Sequence, residues 1–160
     1  MDIEENTTPI INIATEFNGA LSEFAITPFS AEISTLLDVL VNDAGPDCPF
    51  KCEFNSAAQY IYIAKALLFG DITTSEQMLD TTDPQQLWQL VSQICGVDED
   101  TWLAWRDDVY LDAMRKKCER YPEMREILIR TVGYMLVEVR DPENTCGRAL
   151  MRLREEILHP

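Results

Sequence analysis

Apolar positions along this chain recur mostly at helical spacing and alternate with a period of two in only two places. Ile10-Ile11-Asn12-Ile13-Ala14 follows a polar stretch, residues 1–9, that is expected to be flexible, and predicts a short strand. Gly19 to Phe29 reads as a loop with anchoring aromatics, closed by Pro28. From Ala31 to Val41, Ile33, Leu36, Leu37 and Leu40 fall on one helical stripe, and Gly45, Pro46 and Pro49 make residues 42–52 a turn-rich connection. Asn55 or Ser56 is placed to cap a helix through Tyr60-Ile61-Tyr62-Ile63-Ala64-Lys65 to about Phe69, where Gly70 stops it.

Thr74 and Gln77 have the spacing of a capping box for a short helix ending near Leu79. Asp83 caps and Pro84 opens a segment reaching Ile94, stopped by Gly96. Asp98 begins the longest helical pattern, through Trp102, Trp105, Val109, Met114 and Cys118 to about Arg120. Pro122 starts another, carrying Met124, Ile127, Leu128 and Thr131. Leu136-Val137-Glu138-Val139 alternates and reads as a second strand; Asp141 to Gly147 is loop, and Arg148 to Leu158 a final amphipathic helix. The expected fold is mainly α: one compact domain over residues 1–160, with six or seven helices and one or two short strands.

Composition supports a globular domain, with 46% hydrophobic and 26% charged residues in 160. No apolar run reaches the roughly eighteen residues of a membrane helix. Met1-Asp2-Ile3-Glu4-Glu5 lacks the features of a signal peptide, so a cytoplasmic protein with no membrane partner is expected. The net charge of −15 is uneven: residues 1–100 hold only Lys51 and Lys65 as cations against seventeen carboxylates, while residues 101–160 balance. Such a surface disfavours direct nucleic-acid binding. It serves solubility, attracts a basic protein partner, or imitates nucleic acid. Five cysteines include a C-x3-C pair, Cys48 and Cys52, but His159 is the only histidine, so no metal site or other cofactor is expected. Phosphate-loop, dinucleotide-loop, nucleophile-elbow and zinc-protease motifs are absent.

Several fragments, read in order, are similar to one family. Gly19-Ala20-Leu21-Ser22-Glu23-Phe24 matches a G-x-F-S-N-F loop, and Ser56 through Ala66 an S-x-E-H-Y-x-Q-x-x-K-A helix. Trp102 and Arg106 match W-x-x-x-R, Lys117 to Thr131 a K-F-x-Q-x-P-x-L-x-x-x-L-L-x-T stretch, and Leu136-Val137-Glu138 an L-V-E. Glu143 to Gly147 stands where the pattern has D-x-x-W-G. Over residues 17–150 the chain thus resembles the YbiA/NADAR N-glycosidase family.

The resemblance implies cleavage of N-glycosidic bonds to ribose, in ADP-ribose-modified nucleobases or early riboflavin-pathway intermediates. That chemistry needs carboxylates around an oxocarbenium-like centre, and a lysine can add to the opened sugar. Carried over, Lys65, Glu138 and Glu143 are the candidate catalytic residues, and Glu23, Phe24, Tyr62, Trp102 and Arg106 the candidate ligand-binding ones. An ADP-ribose-like ligand is implied.

Departures from the pattern are equally specific. Ala58 and Gln59 replace the E-H pair, Tyr62 the helix glutamine, Glu23 the loop asparagine and Cys146 the loop tryptophan. Trp88-Gln89-Leu90-Val91-Ser92 replaces a K-x-x-G-R stretch suited to phosphate. These changes imply a degenerate member with lost or reduced activity, acting as a binding or regulatory protein through a partner surface that includes Trp88. Two alternatives stand beside it: an active enzyme using Lys65, Glu138 and either Glu23 or Glu143 as relocated acids, and an acidic nucleic-acid mimic.

The bland roles are also concrete. Lys65 suits the negative end of a helix dipole, Glu138 a solvated edge, and Trp102 and Trp105 a core face. Arg115-Lys116-Lys117 reads as solvated surface, its members pointing different ways. Tyr60 and Tyr62 face different sides of their helix, so one of them lines a pocket.

Overall fold

The computed structural model describes residues 8–32 and 51–160. Among them are four short strands: β1 (Ile10–Asn12), β2 (Phe29–Glu32), β3 (Lys51–Phe54) and β4 (Met135–Val137). β1 pairs in parallel with β4, placing Ile11 opposite Leu136. β2 pairs antiparallel with β3, placing Phe29 opposite Phe54. Six α-helices are present among the described residues, α1 (Ala57–Leu68), α2 (Ile72–Asp80), α3 (Pro84–Val91), α4 (Glu99–Arg120), α5 (Pro122–Arg130) and α6 (Thr145–Leu158), with a short 3-10 turn at Glu16–Gly19.

The mainly α class is thus observed, with more strand than the sequence pattern indicates. Phe29–Glu32 and Lys51–Phe54 form a ribbon where loop and the start of a helix are expected. Their pairing is a long-range choice that local spacing does not reveal. The rest of the helix expected over Ala31 to Val41, the connection up to residue 50, Cys48 and residues 1–7 lie outside the described residues. Three helix ends also differ. The helix expected from Thr74 begins at Ile72 because Asp71 accepts the Thr74 amide at 3.0 Å, taking the cap three residues earlier. α3 stops at Val91 rather than Ile94, and α6 starts at Thr145 rather than Arg148.

Caps fix the others as expected: Ser56 accepts from the Gln59 amide, Asp83 from Gln85 and Asp98 from Thr101. Central to the packing is α1, buried on nearly all sides between α2, α4 and the β2–β3 ribbon. Its Tyr60 packs tilted against Phe29 and edge-to-face against Phe54, at centroid distances of 5.9 and 5.2 Å, while Tyr62, two residues on, points to the opposite side. α4 packs along α6, and ion pairs Arg115–Glu156, Arg148–Asp107 and Arg152–Asp108 line the outside of that contact.

Lys117 departs from the surface role expected of its cationic run. Arg115 pairs with Glu156 and Lys116 with Asp112, but Lys117 is 0% exposed. It falls on the α4 stripe of Ala113 and Val109, one and two turns before it, and those residues are also buried. Its Nζ reaches the carbonyl oxygens of Ala20 at 2.7 Å and Ser22 at 3.0 Å. That tether holds the loop that leaves a left-handed turn at Phe17, Asn18 and Gly19, with φ of 54°, 57° and 70°. A side chain on Gly19 would also meet the Ala14 carbonyl at 3.0 Å.

Lys117→Met keeps the stem volume and removes the ammonium, leaving the loop carbonyls short of a donor. It is expected to cost about 2–3 kcal/mol in denaturant unfolding and to speed amide exchange at residues 20–24. Wild-type stability with unchanged exchange there would refute the tether.

Candidate active site

The loop tethered by Lys117 leads directly into a cleft of about 760 Å³, which its next residues, Glu23 and Phe24, line. Four segments build it: the loop at Glu23 and Phe24, α1, α4, and the turn between β4 and α6, with α3 forming one lip. On α1, Tyr62 and Lys65 are three residues apart and share the cleft face. On α4, Trp102, Arg106 and Tyr110 follow one another at four-residue steps along the same line. Lys65 lies over the Trp102 ring, its Nζ 5.0 Å from the centroid. Burial lowers its pKa; Glu99 raises it and Arg106 lowers it further, smaller effects than burial.

Phe24, Tyr62 and Trp88 make an aromatic wall. Their centroids lie 6.2–6.4 Å apart, with Trp88 edge-on to both others. Trp88 is 60% exposed, so it forms a lip that solvent reaches from outside.

The two inner carboxyls sit in opposite environments. Glu138 is 3% exposed, but Arg140 grips it with Nε on Oε1 at 2.8 Å and Nη2 on Oε2 at 3.0 Å. The Arg140 amide adds a third bond at 3.1 Å. These bonds hold its pKa below the ordinary carboxylate value despite burial. Asn144 fixes the backbone beneath it, accepting the Glu138 amide at 2.8 Å and donating to the Leu136 carbonyl at 2.9 Å. Gly147 permits this approach, because a Cβ there would lie 2.3 Å from both the Asn144 side chain and the Leu136 carbonyl.

Glu23 is 6% exposed, and its Oε2 has no hydrogen-bond partner among the described residues. Burial raises its pKa from 4.5 to about 7; Glu138 and Asp141 push the same way, while a hydrogen bond with Tyr110 and the charge of Arg140 oppose them. Lys117, pushed down to about 8 by burial, and Cys146, pushed well up by burial, lie close enough to feel this carboxyl.

Of the nine residues singled out in the sequence, Glu23, Phe24, Tyr62, Lys65, Trp88, Trp102, Arg106 and Glu138 all line this cleft. Glu143 does not: its half-exposed side chain pairs with Arg106 from outside. Through that pair its carboxylate touches the cleft only by way of Arg106, which does line it. Tyr110, Arg140 and Asp141 line the cleft and were missed. One further turn of the W-x-x-x-R spacing reaches Tyr110, and the two-residue step from Glu138 along an extended segment reaches Arg140.

Gln59, at a position where the resemblance has histidine, turns away from the cleft. Its amide donates to the carbonyls of Met78, Leu79 and Thr81 and accepts the Asn55 amide at 2.7 Å, tying α1 to the end of α2. No group of three or more metal-ligating side chains occurs among the described residues, and none of their helices is long and apolar enough to cross a membrane.

A family model described as the NADAR domain matches residues 14–143. Protein irg-1 of Caenorhabditis elegans is 32% identical over 100 residues, covering 61% of this chain and 47% of that protein, so the match spans about half of the worm protein's length. An N-glycosidase of Acanthamoeba polyphaga mimivirus is 25% identical over 127 residues, covering 65% of this chain and 75% of the viral one. Among solved structures, the NMR structure of the E. coli protein YbiA aligns with a TM-score of 0.67 at 20% identity, over 95% of this chain and 86% of that one. That last likeness is one of fold.

The Glu23 environment has a consequence for stability. The folded chain keeps this proton up to about pH 7, whereas an unfolded chain releases it near 4.5, so wild type loses stability as pH rises through that window. Glu23→Gln does not titrate. At pH 8 it is expected to melt several degrees above wild type, since such a shift corresponds to about 3 kcal/mol and each kcal/mol moves a chain of this size by roughly 2–4 °C. Near pH 4.5 the gap should close; a gap independent of pH would contradict the account.

Proposed function

The chain belongs to the NADAR domain family, and from that premise we propose that its cleft binds an N-riboside and hydrolyses the bond between the sugar's anomeric carbon and nitrogen. The observation that carries this reading is the gathering of Lys65, Glu23, Glu138 and an aromatic wall around one cleft from segments far apart in the sequence. The wall of Phe24, Tyr62 and Trp88 offers faces and edges to a planar base. The carboxyls offer negative charge and a proton where cleavage develops a cationic sugar.

The charge inventory bears on the substrate. Arg140 is held by Glu138 and Arg106 by Glu143, whereas Lys65 pairs with no carboxylate among the described residues. One unpaired cation suits a single phosphate better than the two of a pyrophosphate. N-ribosides carrying one 5′-phosphate are therefore the first expectation, with ADP-ribosylated nucleobases as the comparison.

A second reading, a binding or regulatory protein with little turnover, draws on the grip of Arg140 on both Glu138 oxygens, which stabilises the ionised carboxylate against taking a proton. The two readings separate in one experiment. Purified protein is incubated with a pyrimidine N-riboside 5′-phosphate and, separately, with an ADP-ribosylated nucleobase, and free base is quantified by chromatography while thermal shift reports binding. The proposal expects release from the monophosphate, with Lys65→Ala raising KM at least tenfold. Stabilisation by about 2.7 kcal/mol at a hundredfold excess over Kd without release favours the binding protein. Neither binding nor release from either compound would sink both.

A further inference from the structure

Position 58 is fully buried, and on α1 it stands one turn before Tyr62, on the side that turns toward the cleft. Its backbone amide donates to the Glu23 carbonyl at 2.8 Å, so residues 23 and 58 are in direct contact across two segments. At this junction the helix carries only a methyl group, and the carboxyl comes from the facing loop. In the resemblance read from the sequence, glutamate stands at the helix position and a neutral amide at the loop position; here the loop carries the carboxyl and the helix carries none.

We propose that Glu23 is the general acid of this cleft, the carboxyl having been exchanged between helix position 58 and the loop opposite. The inference rests on the N-glycosidase reading above. Three observations support it beyond the contact. Glu23 lines the cleft, and its buried Oε2 has no hydrogen-bond partner among the described residues, unlike both oxygens of Glu138. The loop is held in place on either side of the carboxyl, by Lys117 on the Ala20 and Ser22 carbonyls and by the Ala58 amide on Glu23 itself. Every neighbouring element presents a group that bears on its proton: Glu138, Arg140 and Asp141 from the β4–α6 turn, Tyr110 and Lys117 from α4, Tyr62 from α1 and Cys146 from α6. Their balance with burial leaves Glu23 protonated up to about pH 7.

The step is a simple exchange with water. As the bond from the anomeric carbon to nitrogen breaks, its electron pair goes to nitrogen, and the Glu23 proton follows to give the neutral base. The oxocarbenium ion left behind is attacked by water, forming a new carbon–oxygen bond. Water's surplus proton returns to the Glu23 carboxylate, so ribose and free base leave with the acid restored. Glu138 stays ionised throughout and supplies negative charge to the same cleft.

Steady-state kinetics on the N-riboside that wild type cleaves test this, from pH 5 to pH 9, for wild type, Glu23→Gln, Glu23→Asp, Glu23→Asn and the exchange variant Glu23→Asn with Ala58→Glu. Wild-type kcat is expected to fall about tenfold per pH unit above an inflection near 7. Glu23→Gln should lower kcat by about 10²–10⁴ with KM within threefold, and should lose that alkaline limb. Glu23→Asp should retain part of the rate and keep the limb, and the exchange variant should exceed Glu23→Asn by at least tenfold. Wild-type turnover without an alkaline limb, or Glu23→Gln within threefold of wild type, overturns the assignment even if other variants fold poorly. An exchange variant that folds but gains nothing over Glu23→Asn overturns the exchange with position 58. Absence of wild-type turnover is a different failure, that of the N-glycosidase reading itself.

Discussion

One buried ammonium organises the site. Moving a cation out of water costs several kcal/mol unless its donors are matched, and Lys117 matches two of its three with the carbonyls of Ala20 and Ser22. The stem packs on the α4 stripe with Val109 and Ala113, so the residue serves the core along its length and a polar contact at its tip. The next two residues of the tethered loop are Glu23 and Phe24, one an inner carboxyl of the cleft and the other part of its aromatic wall. A single long-range contact, from α4 back to the loop, therefore places two different kinds of functional group.

The two inner carboxyls differ in how their burial is compensated. Glu138 meets a guanidinium two residues away, with bonds to both oxygens, and keeps its charge. Glu23 meets Tyr110 but also the negative charge of Glu138 and Asp141, and holds its proton. Pairs of titratable groups whose surroundings drive their pKa values apart are the means by which one cleft offers both an acid and a base at neutral pH. Local covalent geometry underwrites the Glu138 half: Asn144 in a left-handed conformation, φ 52°, turns its side chain onto the strand, and Gly147 leaves room for it. Long-range packing underwrites the Glu23 half.

That division explains what the sequence revealed. Helices announced themselves because their caps are local: Ser56, Asp83 and Asp98 each bond an amide two or three residues on. The α2 start was misplaced because two local caps competed and Asp71 won, bonding both the Thr74 amide and the Cys95 amide. The β2–β3 ribbon was invisible because its partners are distant in sequence. In the cleft, Lys65, Trp102, Arg106 and Glu138 were legible from motif spacing, and Tyr110 would have been with one more helical turn. Lys117 was not, because a run of three cations specifies charge but not facing; only the apolar stripe it interrupts assigns it to the interior. That residue 23 lies against Ala58 was not legible either, because the two are far apart in sequence order.

The overall acidity of the chain acts on a different scale from the cleft. Its −15 charge resides in residues 1–100, while Arg106, Tyr110, Lys117 and Arg140, which shape the cleft electrostatics, come from the balanced remainder. The guanidiniums of Arg140 and Arg106 are each paired with a carboxylate, so their fields largely cancel before reaching solvent. Exposed charges beyond about 8 Å are screened at physiological ionic strength. Repulsion from the acidic residues grows with the length of a polyanion, which no single lysine offsets. A ligand with one anionic group would meet less of it, and inside the cleft Lys65 lies over the Trp102 ring at short range. The charge distribution is therefore consistent with the single phosphorylated riboside proposed above and argues against a nucleic-acid strand.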